Sequence, residues 1–248
     1  MDGYDDTTYG DAFADVYDEW YEGISDIDST VTTLLDLAGA GPVLELGVGT
    51  GRLAVPLAAA GASDRVSVSG IDTSEAMLDR LAARDPDRLV TATIGNMTGP
   101  LPAGPFELVF VAYNTLFNLT EGDLQARCFA TVAEVLAPGG RFVVEAFVPS
   151  EAGASDSEVS VKSLTADRVV LSVSVQRPDR HVAEGQFVEI TEAGGVRLRP
   201  WSIRYSSPAE LDDMAAAAGL AVEHRWESFG RDPFTDDSER HVTVYRRV

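Results

Sequence analysis

The chain has 248 residues, 45% of them hydrophobic and 24% charged, enough to bury one substantial core with room for an elaboration. Its formal net charge of −21 repels phosphate backbones and anionic bilayers, which argues against nucleic acid or a membrane as partner, and no stretch approaches the ~20 apolar residues that span a bilayer. The acidic start Met1-Asp2-Gly3-Tyr4-Asp5-Asp6 does not read as an export signal, and the single cysteine, Cys128, fits a packed thiol in a reducing cytoplasm.

Residues 1–30 are acidic but carry Tyr4, Tyr9, Phe13, Tyr17, Trp20 and Tyr21; the three- to four-residue spacing of the last four predicts one helix with an aromatic face. Asp28-Ser29-Thr30 predicts the cap of a second helix over 29–39, ended by Gly39 and Gly41. From 43 onward strands and helices alternate. Strand 43–46 leads into helix 50–60, strand 65–71 ends at Asp72, and Thr73 or Ser74 caps helix 75–84. Strands 89–94 and 106–112, helix 122–136 and strand 141–147 follow. This rhythm predicts an α/β fold: a Rossmann-like, mostly parallel sheet with right-handed crossovers and helices on both faces.

The pattern then changes. Residues 149–157 read as a mobile link, and 159–164, 169–176, 182–190 and 196–205 as antiparallel strands turned at Ala166-Asp167, Pro178-Asp179-Arg180 and Gly194-Gly195. Ser207-Pro208 opens a helix over 208–217, and strands near 221–229 and 240–247 finish the chain. The expected organisation is an N-terminal helical lid at 1–40, a core at 41–148 and 206–248, and an antiparallel β insert at 149–205 that covers a substrate site or forms an interface.

One stretch carries most of the chemistry: Val43-Leu44-Glu45-Leu46-Gly47-Val48-Gly49-Thr50-Gly51, an apolar strand, an acid and three alternate glycines, followed by Arg52 and a helical pattern. A strand, a glycine turn and a helix bring backbone close to a nucleoside-bearing ligand, because glycine adopts positive φ and has no Cβ to block the approach. The dinucleotide fingerprint would want a glycine at position 52, which is Arg52. Asp72 ends the next strand, where an ionised carboxylate can accept from both ribose hydroxyls. Tyr113, Asn114 and Asn118 sit at the carboxyl end of the fourth strand, the edge at which open α/β sheets meet their ligands.

Across residues 40–147 the chain resembles the class I S-adenosylmethionine (SAM) methyltransferases, on Glu45–Gly51, Asp72, Gly95-Asn96-Met97, Ala112–Asn118 and the turn Leu136-Ala137-Pro138-Gly139-Gly140. The core of that family has a seven-stranded sheet with an antiparallel hairpin at its edge. The antiparallel insert makes the chain most similar to small-molecule members, such as the nucleotide-aminosugar N-methyltransferases of actinobacterial natural-product pathways and glycine N-methyltransferase. The resemblance implies a SAM site of Glu45, Gly47, Gly49, Gly51, Arg52, Asp72, Thr73, Met77, Asn96, Met97 and Tyr113, with Tyr17 and Trp20 as lid residues over the sulfonium. Glu45 would answer the ammonium. Asn96 stands where the family commonly has an acid that accepts from the adenine amino group. The implied reaction is methyl transfer to a nitrogen or oxygen of a small molecule, with Tyr113 and Asn114 at the acceptor and His181 as the candidate base. No His, Cys or carboxylate spacing suggests a metal. A homodimer, paired through the insert, is a further expectation. Three alternatives stand beside this reading: a nicotinamide-dependent oxidoreductase, which would want a Tyr-x-x-x-Lys pair where Lys162 has Glu158; aminopropyl transfer from decarboxylated SAM; and a non-catalytic SAM-fold binding protein.

Overall fold

Residues 1–62, 66–149 and 156–248 are described by a computed structural model. In chain order it contains helices α1 (Thr8–Phe13), α2 (Tyr17–Trp20) and α3 (Ile27–Ala38), then β1 (Val43–Leu46), α4 (Ala54–Gly61), β2 (Val68–Asp72), α5 (Glu75–Arg84), β3 (Val90–Ile94) and β4 (Phe106–Val111). Helix α6 (Leu124–Val135) and β5 (Leu136–Phe147) follow, then β6 (Asp156–Leu164), β7 (Arg168–Arg177), β8 (Val182–Thr191), β9 (Val196–Arg204), α7 (Pro208–Ala217), β10 (Leu220–Trp226) and β11 (Arg240–Arg247).

β1 is buried on both faces, as its unbroken Val-Leu-Glu-Leu run requires in a sheet covered by helices on each side. The seven strands lie in the order β10-β11-β5-β4-β1-β2-β3. All pairings from β5 to β3 are parallel, and β11 runs antiparallel to both its neighbours. This is the mostly parallel seven-stranded architecture the sequence predicts. The chain leaves β1 for β2 on one side and reaches β4 on the other, so the order reverses between β1 and β4 and opens a crevice at their carboxyl ends. One core lies between the sheet and α3 and α4, around Leu34, Val43, Leu57 and Phe110; the other lies against α6 and α7, around Leu44, Phe129, Phe142 and Leu211. Cys128 packs wholly inside the second core, where burial pushes its thiol up to about 12.

Local departures have local causes. The aromatic N-terminal stripe is carried by two short helices rather than one. Helix α3 starts earlier than predicted because Asp26, not Asp28, caps it: its carboxylate accepts from the N–H of Ser29 at 3.0 Å. The turn Ala137-Pro138-Gly139-Gly140 stays within β5, with Leu136 already paired to Phe106 across a bulge. Most of the predicted link at 149–157 lies outside the described residues, and β6 takes up at Asp156.

β6 to β9 form a separate four-stranded antiparallel sheet in sequence order. Charge fastens the N-terminal segment to it. The Arg199 side chain is only 1% exposed; it reaches Asp15 at 2.6 Å and Glu189 at 2.8 Å, donates to the carbonyl of Ala12, and lies 5.2 Å from the Trp20 ring centroid. Arg197 meets the same Asp15 at 2.6 Å, Arg168 pairs with Glu19, and the amino group of Met1 meets Glu184 at 2.5 Å. The segment also rests on the core. A Cβ at Gly10 would fall 2.4 Å from that of Ser74, Asp11 accepts from the Ser74 hydroxyl at 2.6 Å, and Asp18 accepts from Thr50 at 2.7 Å.

Breaking a buried ion pair from one side leaves the other charge uncompensated. Asp15 keeps some access to water, so Arg199→Met is expected to cost about 2 kcal/mol rather than the full buried-pair penalty. In thermal unfolding this lowers the midpoint by roughly 4–8 °C, with faster proteolysis inside residues 1–21. An unchanged midpoint and cleavage rate would show that the guanidinium does not hold the segment.

Candidate functional site

The glycine turn is built for close approach at one position in particular. Gly47, Gly49 and Gly51 all have positive φ, at 68°, 53° and 76°. A Cβ on Gly47 would meet Thr115 Cγ2 at 2.4 Å, and one on Gly51 would meet Leu81 and Val55 at 2.9 Å, so both are also required by packing. A Cβ on Gly49 would find nothing nearer than the Met77 sulfur at 4.0 Å. The backbone there faces open space, and the Gly49 N–H donates to Asp72 Oδ2 at 2.9 Å.

That space is a cleft of about 740 Å³ with open solvent included. It runs along the carboxyl ends of β1, β2 and β3, past Gly47 and Gly49, Asp72, Thr73 and Met77, to Gly95, Asn96 and Met97. Tyr4, Asp5, Asp6, Tyr9 and Tyr17 close it from the N-terminal segment, and Thr115, Asn118 and Leu119 from the turn after β4. A smaller cavity of about 280 Å³ adjoins it through Tyr17, Gly47 and Thr115 and is lined further by Glu45, Arg52 and Tyr113.

The two cavities are acidic. Glu45 is buried on β1 with Oε2 lacking any partner; burial pushes its carboxyl up to about 8, with Asp72 adding to the rise and Arg52 opposing it. Burial also raises Asp72, with the N–H groups of Ser74 and Gly49, each at 2.9 Å, opposing the rise. An orphaned buried acid beside a second one is a site for a cation. An amino-acid ammonium at Glu45, a nucleoside diol at Asp72 and a purine against Met77 and Met97 fit this order of groups. Among the described residues no group of His, Cys and carboxylates has the geometry to hold a metal.

The structure gathers most of the residues singled out in the sequence. Glu45, Gly47, Gly49, Arg52, Asp72, Thr73, Met77, Asn96, Met97, Tyr17 and Tyr113 line one cavity or the other. Gly51 instead sits under Leu81 and Val55. Arg52 donates to the Ser25 hydroxyl and holds its guanidinium 5.8 Å from the Tyr113 ring centroid. Trp20 lies elsewhere, edge-on to Phe13 and Phe187 at 6.1 and 5.5 Å, because α2 turns that side of the helix toward the antiparallel sheet.

Two of the three catalytic candidates have other partners. Asn114, left-handed at φ 63°, accepts from the N–H of Phe147 at 2.7 Å through its side-chain oxygen, and its own N–H donates to the Glu145 carbonyl at 3.1 Å. It latches β4 to β5 rather than facing the cavity. His181 ends the turn Pro178–Arg180, stacks on Tyr205 at 5.5 Å and meets Glu210 at 3.4 Å, half exposed and away from the lining of both cavities. The third, Tyr113, is left-handed at φ 50°, with its N–H donating to Glu145 Oε2 at 2.9 Å. The lining residues that sequence reasoning missed are Tyr4, Asp5, Asp6, Gly10, Thr115 and Leu119, and nothing periodic marks them.

Residues 43–140 match a family model described as a methyltransferase domain. Among solved structures, the CcbJ methyltransferase from Streptomyces caelestis is 40% identical, with a TM-score of 0.89 over 99% of this chain and 100% of that one. CalS10, an amino pentose methyltransferase from Micromonospora echinaspora, is 21% identical, with a TM-score of 0.70 over 94% and 97% of the two chains. The sugar N-methyltransferase KedS8 from Streptoalloteichus is 20% identical, with a TM-score of 0.69 over 98% of each. No curated protein sequence matches the chain.

The raised Glu45 carboxyl has a consequence that needs no ligand. Between its ordinary range and about 8, the unfolded chain is ionised while the folded chain keeps the proton, so the unfolded state binds fewer protons and stability falls as pH rises. Glu45→Gln removes that loss. In thermal unfolding without ligand, the midpoint of the variant relative to the parent is expected to climb from pH 5 to pH 8; a difference that stays flat would mean that Glu45 ionises normally.

Proposed function

The chain belongs to the SAM-dependent methyltransferases, and we propose that it methylates a nitrogen of a small-molecule amine. The observation that carries the cofactor's place is the unpartnered Glu45 Oε2, buried beside the Gly49 gap and in line with Asp72. The nitrogen is favoured because the side chains that line the cavities after β4, Tyr113, Thr115 and Asn118, are neutral, and among the described residues no histidine lines either cavity. A neutral amine already presents its lone pair and loses a proton only afterwards, whereas a sugar hydroxyl would want a base first. The amino pentose named for CalS10 and the sugar N-methylation named for KedS8 support the same choice.

When bound, SAM would supply a methyl group activated on a sulfonium, to be taken in line by the acceptor's lone pair as the carbon–sulfur bond breaks and S-adenosylhomocysteine leaves. The protein's own work is to place and dry the reactants. Glu45 holds the ammonium, and Asp72 accepts from the ribose. Tyr9, Tyr17, Tyr21 and Tyr113 form one connected set over the turn, with the Tyr9 and Tyr21 hydroxyls 3.0 Å apart, Tyr17 and Tyr21 4.7 Å and Tyr21 and Tyr113 5.7 Å apart by ring centroids. Their π faces suit a positive sulfur. The oxidoreductase alternative is set aside by the family. Residues 1–40 are read as the lid and 149–205 as an insert that covers the substrate site or forms an interface, and the acidic surface and buried single cysteine favour a cytoplasmic protein with no nucleic-acid partner.

The insert's outer face is read as the surface that meets a second copy. Residues opposite one another across antiparallel strands share a face, and the row Val161, Leu171, Val188, Leu198 runs across the sheet. Val159, Val161 and Leu198 are 66%, 61% and 57% exposed. In a chain of net charge −21, an uncharged aliphatic face is the surface on which two identical copies repel least.

Titration with S-adenosylhomocysteine (SAH) is expected to give binding that Gly49→Arg abolishes and Glu45→Gln weakens at least tenfold. With labelled SAM, amine acceptors are expected to take up the methyl group and hydroxyl acceptors not. Transfer to hydroxyls alone would overturn the choice of nitrogen, and tight SAH binding without turnover on either panel would leave a non-catalytic binding protein. By light scattering the parent is expected to run as a dimer and Val161→Glu with Leu198→Glu at half that mass. A monomeric parent would remove the interface.

A further inference from the structure

Resting on the cofactor reading above, the far end of the cavity poses a question of supply. An adenine presents an exocyclic amino group, a donor, and discrimination for it needs an acceptor on the protein. Strand order fixes where that acceptor must be. With the glycine turn after β1 and the diol carboxylate at the end of β2, the base lies beyond, at the end of β3, among Gly95, Asn96 and Met97. The obvious acceptor there is already engaged: Asn96 Oδ1 takes the N–H of Thr98 at 2.9 Å and its hydroxyl at 2.8 Å. The amide nitrogen of Asn96 points the other way and donates to Asp6 Oδ2 at 2.7 Å.

Asp6 is distinct from its neighbour Asp5. Asp5 is consumed locally, with Oδ1 accepting from the N–H groups and hydroxyls of Thr7 and Thr8 at the start of α1. Asp6 lines the cavity, is held by Asn96 through one oxygen, and has its carbonyl fixed by the Thr73 hydroxyl at 2.6 Å. Its place is set from the ends of β2 and β3, and among the described residues its Oδ1 has no hydrogen-bond donor. We propose that Asp6, carried by the N-terminal segment, is the carboxylate that reads the adenine amino group, with Asn96 as the residue that positions it. The segment is then part of the cofactor site, and the same loop that closes over SAM selects its base.

The test is discrimination between SAH and S-inosylhomocysteine, in which the amino group is replaced by an oxo group. The parent is expected to prefer SAH by about tenfold or more, the scale of a hydrogen bond to a charged group. Asp6→Asn keeps an oxygen to accept from Asn96, so the segment stays tethered, but its amide can face either base. The preference is expected to shrink to about threefold or less, chiefly through tighter binding of the oxo compound relative to SAH. Asn96→Ala, which frees the tether, is expected to reduce the preference in part. If Asp6→Asn weakens both ligands equally and leaves their ratio intact, Asp6 only pins the segment and the inference fails. If the parent binds neither ligand, the cofactor reading itself fails.

Discussion

A buried acid with one oxygen left unpartnered is what the cavities are arranged around. Glu45 sits in the middle of a strand buried on both faces, which no chain places there for stability, since desolvating an acid is costly and an apolar residue would pack better. Its neighbours make sense as consequences. Arg52 lowers the cost without neutralising it, Asp72 adds a second acid one strand away, and the glycines leave backbone rather than side chain at the boundary. The empty fold answers that burial by keeping a proton on Glu45, and in the proposed function a cationic cofactor would favour its ionised form.

The second constraint is that an open sheet edge cannot exclude water alone. The carboxyl ends of β1 to β4 form a crevice with a floor and no roof. The roof is made from the first twenty residues, whose own helices are too short to stand unsupported. They are held from two directions: by Ser74, Thr50 and Thr73 of the core, and by Arg199, Arg197, Arg168 and Glu184 of the antiparallel sheet. The insert thereby supports a cavity wall that none of its described residues lines. Its inner face braces the roof, and its outer face keeps the aliphatic surface that a braced sheet presents.

Much of this was legible in the chain. Alternating strand and helix patterns gave the parallel core, the shift to period two after residue 158 gave the separate sheet, and turn residues marked the hairpins, because these signals arise from neighbours within a few residues of one another. The lining of the cavity proposed for the cofactor was legible for a related reason: strand, turn and helix fix the local backbone, so Glu45, Gly47, Gly49 and Asp72 are placed there by their own segments. Even the ends of elements followed local rules, with the capping box of Ser207 and Glu210 opening α7 where Ser-Pro foretold it.

What the sequence determined by itself, then, was the fold and the floor of the site, because both follow from periodicity and from backbone that only glycine permits. What the tertiary structure decided was which side chains look into the cavity. Trp20 and Tyr17 share an aromatic stripe, yet one packs under Arg199 and the other lines the cavity, since α2 ends between two surfaces. Asn114 was read as facing the acceptor and instead latches Phe147, 33 positions away; Asp6 was read as part of an acidic leader and instead meets Asn96, 90 positions away. Contacts at such separations depend on how whole elements dock, and docking angles are set by the summed packing of the cores rather than by any local pattern.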